Sequence, residues 1–482
     1  MAGLIVSSLA FALMQTLLIP ALPVLQRDLH TSEQWITWTV TIYLLTGSVA
    51  TPIIGRMGDQ YGKVRMMLVS LTCFLIGSIG CLVSWNVASL ITFRGVQGIG
   101  AAVFPLAYAI IRDEFPEDKW SVTMGTVSAT LGVGGGLGIV TAGLVVDNLN
   151  WRWLFVVSAI IGLVALVLVW QFIPESPIRT PSRPDIAGAT LLSGGLVALL
   201  VALTEGPPLG WSSPLVMGLF VASAVLLVAW GLVESKVPQP MVDLRMLTRR
   251  PVFFTNLTAL ISGFSLYATW VLLPTFFQFP KSLPAQVQQY AAYGLGTSVL
   301  VAGLWILPCS SAMIVTGPVG GILGRRIGAR IPLAIGMFLF ALGAGGIALW
   351  HSSALAVSMS FMICGCGIGF AFASMPRLIV GAVAPSETGV ATGMNNVVRT
   401  IGGVIGAQIA AVLLAANVTP GTQIPTEHGF VLAFWLSAGS ALVGVVTALL
   451  VSGKGSGRWR VVSTTDSASD SNLDDAVAAE SA

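Results

Sequence analysis

Apolar runs of about 20 residues recur along the chain, and this feature constrains its fold more than any other. A helix of that length crosses a hydrocarbon layer about 30 Å thick. Only 9% of the 482 residues are charged and the mean hydropathy is +0.88, whereas a soluble domain carries about 25% charged residues. The sequence therefore excludes an ordinary soluble protein and predicts an all-α polytopic membrane protein.

Charged and Pro/Gly-rich breaks divide the chain into fourteen predicted helices, numbered 1 to 14. Their predicted spans are 3–23, 34–54, 64–84, 88–111, 121–146, 153–173, 186–204, 215–233, 252–278, 296–316, 331–350, 355–376, 388–414 and 429–451. No basic region precedes the first run, so we interpret it as a membrane helix and not as a cleaved signal peptide. The tail 454–482 is rich in Ser, Ala and Asp, and we expect it to be disordered.

Basic residues are concentrated on one predicted side of the membrane. That side carries 18 of the 23 Lys and Arg residues, and basic loops remain in the cytoplasm. We therefore expect a multi-pass plasma membrane protein with both termini in the cytoplasm. No basic cluster indicates nucleic-acid binding. The five cysteines lie within apolar runs, so we expect neither disulfides nor a metal site.

An internal repeat relates the segments that follow helices 2 and 10. One Pro and three Gly recur at a constant spacing of 266 residues, as Pro52, Gly55, Gly58 and Gly62 and then as Pro318, Gly321, Gly324 and Gly328. Parallel repeats of this kind are typical of transporters whose halves rock around a midplane site. We predict an N-terminal six-helix half at 1–175, a two-helix insert with cytoplasmic linkers at 176–250, a C-terminal half at 251–453 and the tail at 454–482.

The first repeated segment, from Gly55 to Arg65, resembles the signature loop of the major facilitator superfamily. Its glycines permit close helix approach. Asp59 can accept hydrogen bonds from a neighbouring helix N-terminus while it pairs with Arg65. The resemblance implies a cytoplasmic latch of Gly55, Asp59, Gly62 and Arg65 that is formed in one state and broken in the other.

Helices 4 and 5 carry two further motifs that are similar to this superfamily. Arg94 and Gln97 match its second motif, in which the arginine is linked to proton transfer. An arginine at that depth costs roughly 2.5–3.5 kcal/mol and needs polar partners, so a purely structural role is the alternative. Gly134, Gly138 and Gly143 resemble the antiporter motif of exporters, which implies a flat packing face on helix 5.

Other segments resemble the fourteen-helix drug:proton antiporter branch of the superfamily. They are Trp151-Arg-Trp-Leu-Phe155, Asp185-Ile-Ala-Gly188, Glu234 with Pro240-Met-Val-Asp243-Leu-Arg245, and Gly389 to Gly402. The resemblance implies the major facilitator fold, with two six-helix halves and two extra helices. It also implies export of a small amphipathic compound or drug by alternating access, driven by the proton gradient and without another cofactor.

The acid that this branch usually carries in helix 1 is replaced by Met14. All twenty Asp and Glu residues fall in predicted loops, tails or helix edges, whereas Arg94 and Arg399 lie within predicted helices, one in each half. A buried carboxylate is the usual proton carrier, because burial raises its pKa toward the working pH. The route of proton coupling therefore stays open.

Three alternatives address the missing acid. In the first, Arg94 or Arg399 holds an anionic substrate, with hydrogen bonds from Gln15, Thr16 and Gln97. In the second, a carboxylate at the rim titrates as the cavity alternates, and the candidates are Asp28, Glu33 and Asp59. In the third, coupling has been lost, which leaves an uncoupled facilitator or exchanger. Export with an unidentified coupling route is the interpretation that we favour.

Members of the superfamily line their central cavity with polar residues of helices 1 and 4 and their second-half counterparts. The candidates here are Gln15, Thr16, Arg94, Gln97, Asn256, Tyr267, Asn395 and Arg399, each of which can instead be a packing residue. A membrane-embedded enzyme or receptor is a remote alternative, because no catalytic group or metal ligand is predicted at mid-depth. We expect a monomer whose partners are the lipid bilayer and a small-molecule substrate.

Overall fold

A computed structural model describes residues 1–176, 185–279, 293–419 and 424–451. Within these residues, fourteen helices are long and apolar enough to cross a membrane, as predicted. They are Ala2–Ala21, Trp35–Tyr61, Lys63–Leu82, Val87–Glu114, Glu117–Asn148, Arg152–Phe172, Ile186–Leu209, Pro214–Glu234, Arg250–Gln278, Leu300–Ile327, Arg330–Leu349, Ala354–Val380, Pro385–Ala416 and Glu427–Leu450. The all-α fold class is confirmed, since the described residues contain no strand beyond an isolated bridge between Val418 and Pro425.

Two short helices lie between the membrane spans. Leu22–Asp28 follows helix 1, and Leu244–Thr248 precedes helix 9. Helix 4 contains a 3-10 segment, Ile99–Ala102, where its glycines allow the backbone to tighten. The predicted tail 454–482 lies outside the described residues, as do the basic residues Arg179, Arg183 and Lys281.

The repeated Pro/Gly segments are mostly helical, and their prediction as interhelical loops is wrong. Helix 2 continues to Tyr61 and helix 10 to Ile327, so both prolines lie inside helices. Neighbouring helices can satisfy the backbone groups that a proline frees within a membrane. Each helix ends at the last glycine of the repeat, Gly62 with φ of 118° and Gly328 with φ of 85°. Glycine adopts such backbone angles without steric cost.

Two large hydrophobic cores form, one from helices 1–6 and one from helices 9–14. Buried aromatic side chains anchor both cores, with Phe74 and Phe155 in the first and Phe361 and Phe434 in the second. Helix 5 packs along helix 10, and helix 2 packs against helix 13. These two helix pairs are therefore the main seams between the cores. The residue bounds of the two halves stay a prediction.

Helices 7 and 8 pack on each other and join a third, smaller core, most of whose buried residues come from segment 241–246 and from helices 9, 12 and 13. Helix 7 also contacts helices 2 and 13. The indole N–H of Trp38 on helix 2 donates to Oε1 of Glu205 on helix 7 at 2.9 Å. The insert is thus attached to the seam between helices 2 and 13, which the sequence did not predict.

Candidate functional site

A cavity of about 260 Å³ lies between the two large cores. Eight helices contribute to its wall, namely helices 1, 2, 5, 7, 9, 10, 12 and 13. Four of the eight predicted site residues line it: Gln15, Thr16, Tyr267 and Arg399. Ile19 and Thr37 lie at the end near the connection between helices 1 and 2, where Ile19 is exposed. The cavity therefore extends toward the membrane side opposite the repeated Pro/Gly segments.

Arg399 is the single charged side chain among the described residues that line this cavity. Its Nη2 donates to Oδ1 of Asn396 at 2.5 Å, and its guanidinium lies 4.4 Å from the ring centroid of Phe372. In the described part of the chain, no carboxylate lies within ion-pair distance of Arg399. The cavity wall therefore carries a positive charge without a neighbouring counter-charge.

Gln15 and Tyr267 form a hydrogen bond that crosses from one core to the other. Nε2 of Gln15 on helix 1 donates to the Tyr267 hydroxyl on helix 9 at 2.5 Å. Gly403 of helix 13 leaves room for the tyrosine ring, because an added Cβ would lie 2.7 Å from it. Thr16, the neighbour of Gln15, donates to the carbonyl of Gly135 on helix 5 at 3.0 Å. Helix 1 is thereby held in the orientation that points Gln15 at the cavity.

The predicted glycine face of helix 5 divides between two neighbours. A Cβ at Gly134 or Gly138 would approach helix 1 to within 2.5 Å or 2.2 Å, respectively. Gly143 instead packs against Leu300 of helix 10. The prediction of one face is wrong for Gly143, because five residues turn an α-helix well away from its starting face. Helix 5 uses its glycines to lie between helix 1 and helix 10.

Arg94 and Gln97 are fully buried between helices of the first core, and neither lines the cavity. Nε of Arg94 donates to the carbonyl of Thr39 at 3.0 Å, and Nη1 donates to Gln97 at 2.6 Å. The guanidinium lies 4.1 Å from the ring centroid of Tyr43, and Gln97 donates to Ser78 at 2.7 Å. Their prediction as cavity residues is therefore wrong in this conformation, since helix 4 turns them inward.

Asn256 and Asn395 bond to each other and connect helices 9 and 13. Nδ2 of Asn395 donates to Oδ1 of Asn256 at 2.8 Å. Asn395 lines a small pocket that it shares with Arg399 and Tyr108, but neither asparagine is among the described residues that line the main cavity. The prediction as residues of that cavity is therefore wrong for both.

Several residues of the cavity wall are not among those that the sequence predicts. The polar ones among them are Thr37, Thr41, Thr204, Thr400 and Gln408, and the aromatic ones are Trp270 and Phe372. Thr37 and Thr41 are four residues apart and so share one face of helix 2. A polar pair with this spacing in an apolar helix indicates a polar face. The sequence does not show how each helix is rotated, so it does not show whether that face lines the cavity.

Asp59 lies against the N-terminus of helix 13, and 1% of its surface is exposed. Its carboxylate accepts from the backbone N–H groups of Gly389 at 3.4 Å and Val390 at 3.3 Å. Gly55 makes this approach possible, because an added Cβ would lie 2.6 Å from the Gly389 carbonyl oxygen. A carboxylate is stabilised by the positive end of a helix dipole. Asp59 therefore connects the two cores on the membrane side where helix 2 ends.

Arg65 does not pair with Asp59 in the described residues, so that prediction is wrong. The backbone N–H groups of Val64 and Arg65 instead donate to the carboxylate of Glu175, at 3.0 Å and 2.9 Å. A Cβ at Gly62 would collide with the same carboxylate. Glu175 thus caps helix 3, a role that the sequence does not predict.

Two arginines outside the predicted site also bridge the cores on this side. Arg112 of helix 4 donates to the carbonyls of Val383 and Ala384, at 3.0 Å and 3.1 Å, and to the Thr388 hydroxyl at 2.7 Å. Arg377 of helix 12 pairs with Glu117 of helix 5 at 3.2 Å. The latch that the structure forms therefore differs from the predicted set of residues: it consists of the contacts of Asp59 and Arg112 with residues 383–390.

Two cores of six helices, a cavity between them and a latch that closes one end define a membrane transporter of the alternating-access class. The family model described as Major Facilitator Superfamily matches residues 4–407 and, in a second match, residues 287–469. The chain belongs to the major facilitator superfamily. It is a multi-pass membrane protein, and the predicted superfamily and fold are confirmed.

Curated relatives are named for drug resistance and export. The chain is 29% identical over 411 residues to the tetracenomycin C resistance and export protein of Streptomyces glaucescens, covering 84% of this chain and 74% of that protein. It is 29% identical over 423 residues to the multidrug transporter protein MdtP of Bacillus subtilis, covering 86% and 75%. Similarity to multidrug resistance protein Stp of Mycobacterium tuberculosis is 30% over 399 residues, covering 82% and 72%.

Solved structures share the fold at low sequence identity. The human organic anion transporter MFSD10 aligns with a TM-score of 0.66 and 15% identity, covering 93% of this chain and 98% of that one. The proton:xylose symporter XylE aligns with a TM-score of 0.63 and 11% identity, covering 92% and 93%. At this identity the likeness concerns the fold alone.

Proposed function

We propose that this protein exports small amphipathic molecules, drugs among them, across the plasma membrane by alternating access. The observation that carries the proposal is the cavity between the two cores, which the latch closes at one end. The names of the relatives, each aligned over more than 80% of the chain, support drugs as substrates. A mostly apolar wall with a few polar groups is typical of a small-molecule site.

The latch and the cavity together suggest how export proceeds. The structure is closed at the latch, so a substrate in the cavity leaves toward the opposite side. In the second state, the bonds of Asp59 and Arg112 to residues 383–390 are broken, and the substrate enters past them. With the latch and both termini in the cytoplasm, this cycle moves the substrate outward. The cycle needs one chain, and we propose a monomer.

Asp59 is the carboxylate that we propose for proton coupling. Protonation removes the charge that the N-terminus of helix 13 stabilises, and this weakens the latch. Proton binding at Asp59 would therefore favour the open latch, and proton release would favour the closed one. The second candidate function is an uncoupled facilitator or exchanger, which is supported by the lack of a carboxylate among the described cavity residues.

Inside-out vesicles with an acidic interior test export and coupling together. We expect the vesicles to take up a fluorescent amphipathic dye, used as the substrate, and to release protons from their interior at the same time. A pH-sensitive probe measures the proton release. Asp59→Asn should uncouple the two movements, while Asp147→Asn serves as the control because Asp147 is an exposed carboxylate at the end of helix 5. Dye uptake without proton movement in the unmodified protein would contradict coupling and favour the facilitator. Absence of dye uptake would contradict export itself.

A further inference from the structure

We propose that the cavity selects amphipathic organic anions, whose carboxylate or phenolate is held by Arg399. This inference rests on the proposed export function and names the substrate class of the same cavity. It starts from the charge of the wall, where Arg399 is the single charged side chain among the described lining residues. A cation in this space would be repelled, and the repulsion is strong where water is scarce.

The environment of Arg399 leaves its charge available to a ligand. One amide oxygen, from Asn396, and one aromatic face, from Phe372, are its partners in the described residues. Neither carries a negative charge. A guanidinium has five N–H donors in a planar fork that matches a carboxylate. An anionic group in the cavity would therefore supply the counter-charge that the described residues do not.

The hydrogen-bond donors around Arg399 are arranged for an oxyanion. Gln15, Tyr267 and Arg399 line both the main cavity and a smaller pocket that continues from it, so they lie where the two spaces meet. The Tyr267 hydroxyl accepts from Gln15, and its own hydrogen has no acceptor among the described residues. That hydrogen can be donated to a ligand. One anionic group at this junction would receive donors from helices 1, 9 and 13.

The remainder of the wall fits an apolar or aromatic body. Trp270, Phe372, Leu44 and Val271 line the cavity beside these donors. The other embedded arginine offers no comparable site, because Arg94 is enclosed within the first core. An amphipathic acid would therefore place its charge at the junction and its rings against the aromatic wall.

Two xanthene dyes of opposite charge and similar size test the proposal. Binding of anionic fluorescein and cationic rhodamine 6G to the full chain in nanodiscs is measured by fluorescence polarisation. Arg399→Gln should weaken fluorescein binding by about 10- to 100-fold, the range for a lost charge-assisted hydrogen bond, and should not weaken rhodamine 6G binding. The affinity of Arg399→Lys for fluorescein should lie between those of the unmodified protein and Arg399→Gln, because lysine keeps the positive charge but lacks the planar set of N–H donors. Arg245→Gln is the control, since Arg245 is exposed and is not among the described residues that line the cavity.

Gln15→Glu provides a second variant of nearly unchanged shape. It places a carboxylate among the donors at the junction, so fluorescein binding should fall and rhodamine 6G binding should rise. Rhodamine 6G binding that exceeds fluorescein binding in the unmodified protein and is insensitive to Arg399→Gln would overturn the proposal. If cells expressing the protein export rhodamine 6G in that case, the export function survives and only the anion selectivity fails. A chain that exports neither dye overturns both.

Discussion

The repeated segments at the ends of helices 2 and 10 keep the same glycines but carry different charges. Asp59 lies in the last turn of helix 2 and is buried against helix 13, whereas Arg325, its counterpart at the 266-residue spacing, is exposed at the end of helix 10. A cation is favourable at the C-terminus of its own helix, but an anion there needs an outside partner. Only the first segment therefore gains a charged contact with the opposite core.

The glycine contacts are similar in the two seams. Gly55 meets the backbone of Gly389, and its counterpart Gly321 meets the backbone of Ser121 on helix 5. The cores therefore approach to backbone distance at both places. Close approach is common to both repeats, and the charged latch is confined to one of them.

The bridging arginines show the same asymmetry. Arg112 is partly buried and has three acceptors in residues 383–388, whereas Arg377 pairs with one exposed carboxylate, that of Glu117. Both guanidinium groups lie over the ring of Trp120, at 5.8 Å and 5.1 Å from its centroid. We infer that the seam between helices 2 and 13 opens against several polar bonds, and the seam between helices 5 and 10 is mainly a packing contact.

The largest expected effect comes from filling the glycine contacts. Gly55→Ala and Gly321→Ala would each place a Cβ against a backbone carbonyl oxygen, at 2.6 Å and 2.3 Å. Overpacking typically costs about 1–3 kcal/mol and occasionally more, and backbone contacts as short as these belong to the upper end, so both variants should hold the latch side apart. Distances between spin labels at the exposed positions Tyr61 and Arg326 would measure this separation.

Gly439→Ala is the control for the glycine variants, because nothing lies within 4 Å of a Cβ added there. If Gly321→Ala leaves the label distance at the control value while Gly55→Ala increases it, the two glycine seams are not equivalent. That result would extend the asymmetry of the charges to the packing.

The next largest effect on the latch is expected from the two bridging arginines, Arg112 and Arg377. Arg112→Gln should shift the equilibrium toward the open latch by about 1.5–3 kcal/mol, because charged hydrogen bonds to residues 383–388 are lost. Arg377→Gln should change it by less than about 1 kcal/mol, since exposed ion pairs contribute little. Populations from the same label distances would give both values. Equal shifts for the two variants would contradict the assignment of the latch to one seam.

A smaller effect is expected at the repeated segments themselves. Asp59→Asn removes the charge at the helix 13 N-terminus and should favour the open latch by up to about 2 kcal/mol, the range for a partly buried group at a helix end. Arg325→Gln should leave the latch population unchanged, because its side chain is exposed. If Asp59→Asn has the same closed-latch population as the unmodified protein, the glycine contacts alone are enough to keep the latch closed.

The smallest effect is expected for the cap of helix 3. Glu175→Gln weakens two hydrogen bonds to the backbone of Val64 and Arg65, within the first core. We expect a loss of about 1 kcal/mol, equivalent to a fall in Tm of about 2–4 °C for a domain of this size. Thermal unfolding in detergent measures the change. A shift in latch population would show that Glu175 also acts between the cores.

The arginines of helices 4 and 13 show where sequence reasoning succeeds and where it fails. Arg94 and Arg399 give the same signal, a charge within an apolar run, and both were predicted as cavity residues. Arg399 lines the cavity, but Arg94 is enclosed by Tyr43 and Gln97. Their difference depends on the rotation of each helix against its neighbours, which no local pattern records.

The position of Pro52 gives a second example. The sequence predicted a helix end near residue 54, because proline and glycine usually interrupt helices in water. Helix 2 continues to Tyr61, because within a membrane neighbouring helices can satisfy the backbone groups that a proline leaves without a partner. The contact between Asp59 and a helix N-terminus was anticipated, but its partner at Gly389 is 330 residues away and was not.

By itself, the sequence determined the number of membrane helices, the repeat and the superfamily. These depend on the length of apolar runs and on motifs within a few residues, which are local properties of the chain. The tertiary structure alone decided which polar groups face the cavity, that helix 7 contributes to its wall, and that Arg399 lies there without an acidic partner among the described residues. Those features depend on how distant helices rotate and pack. The neighbours that the fold brings to a polar side chain decide whether it is buried and whether its hydrogen bonds are made.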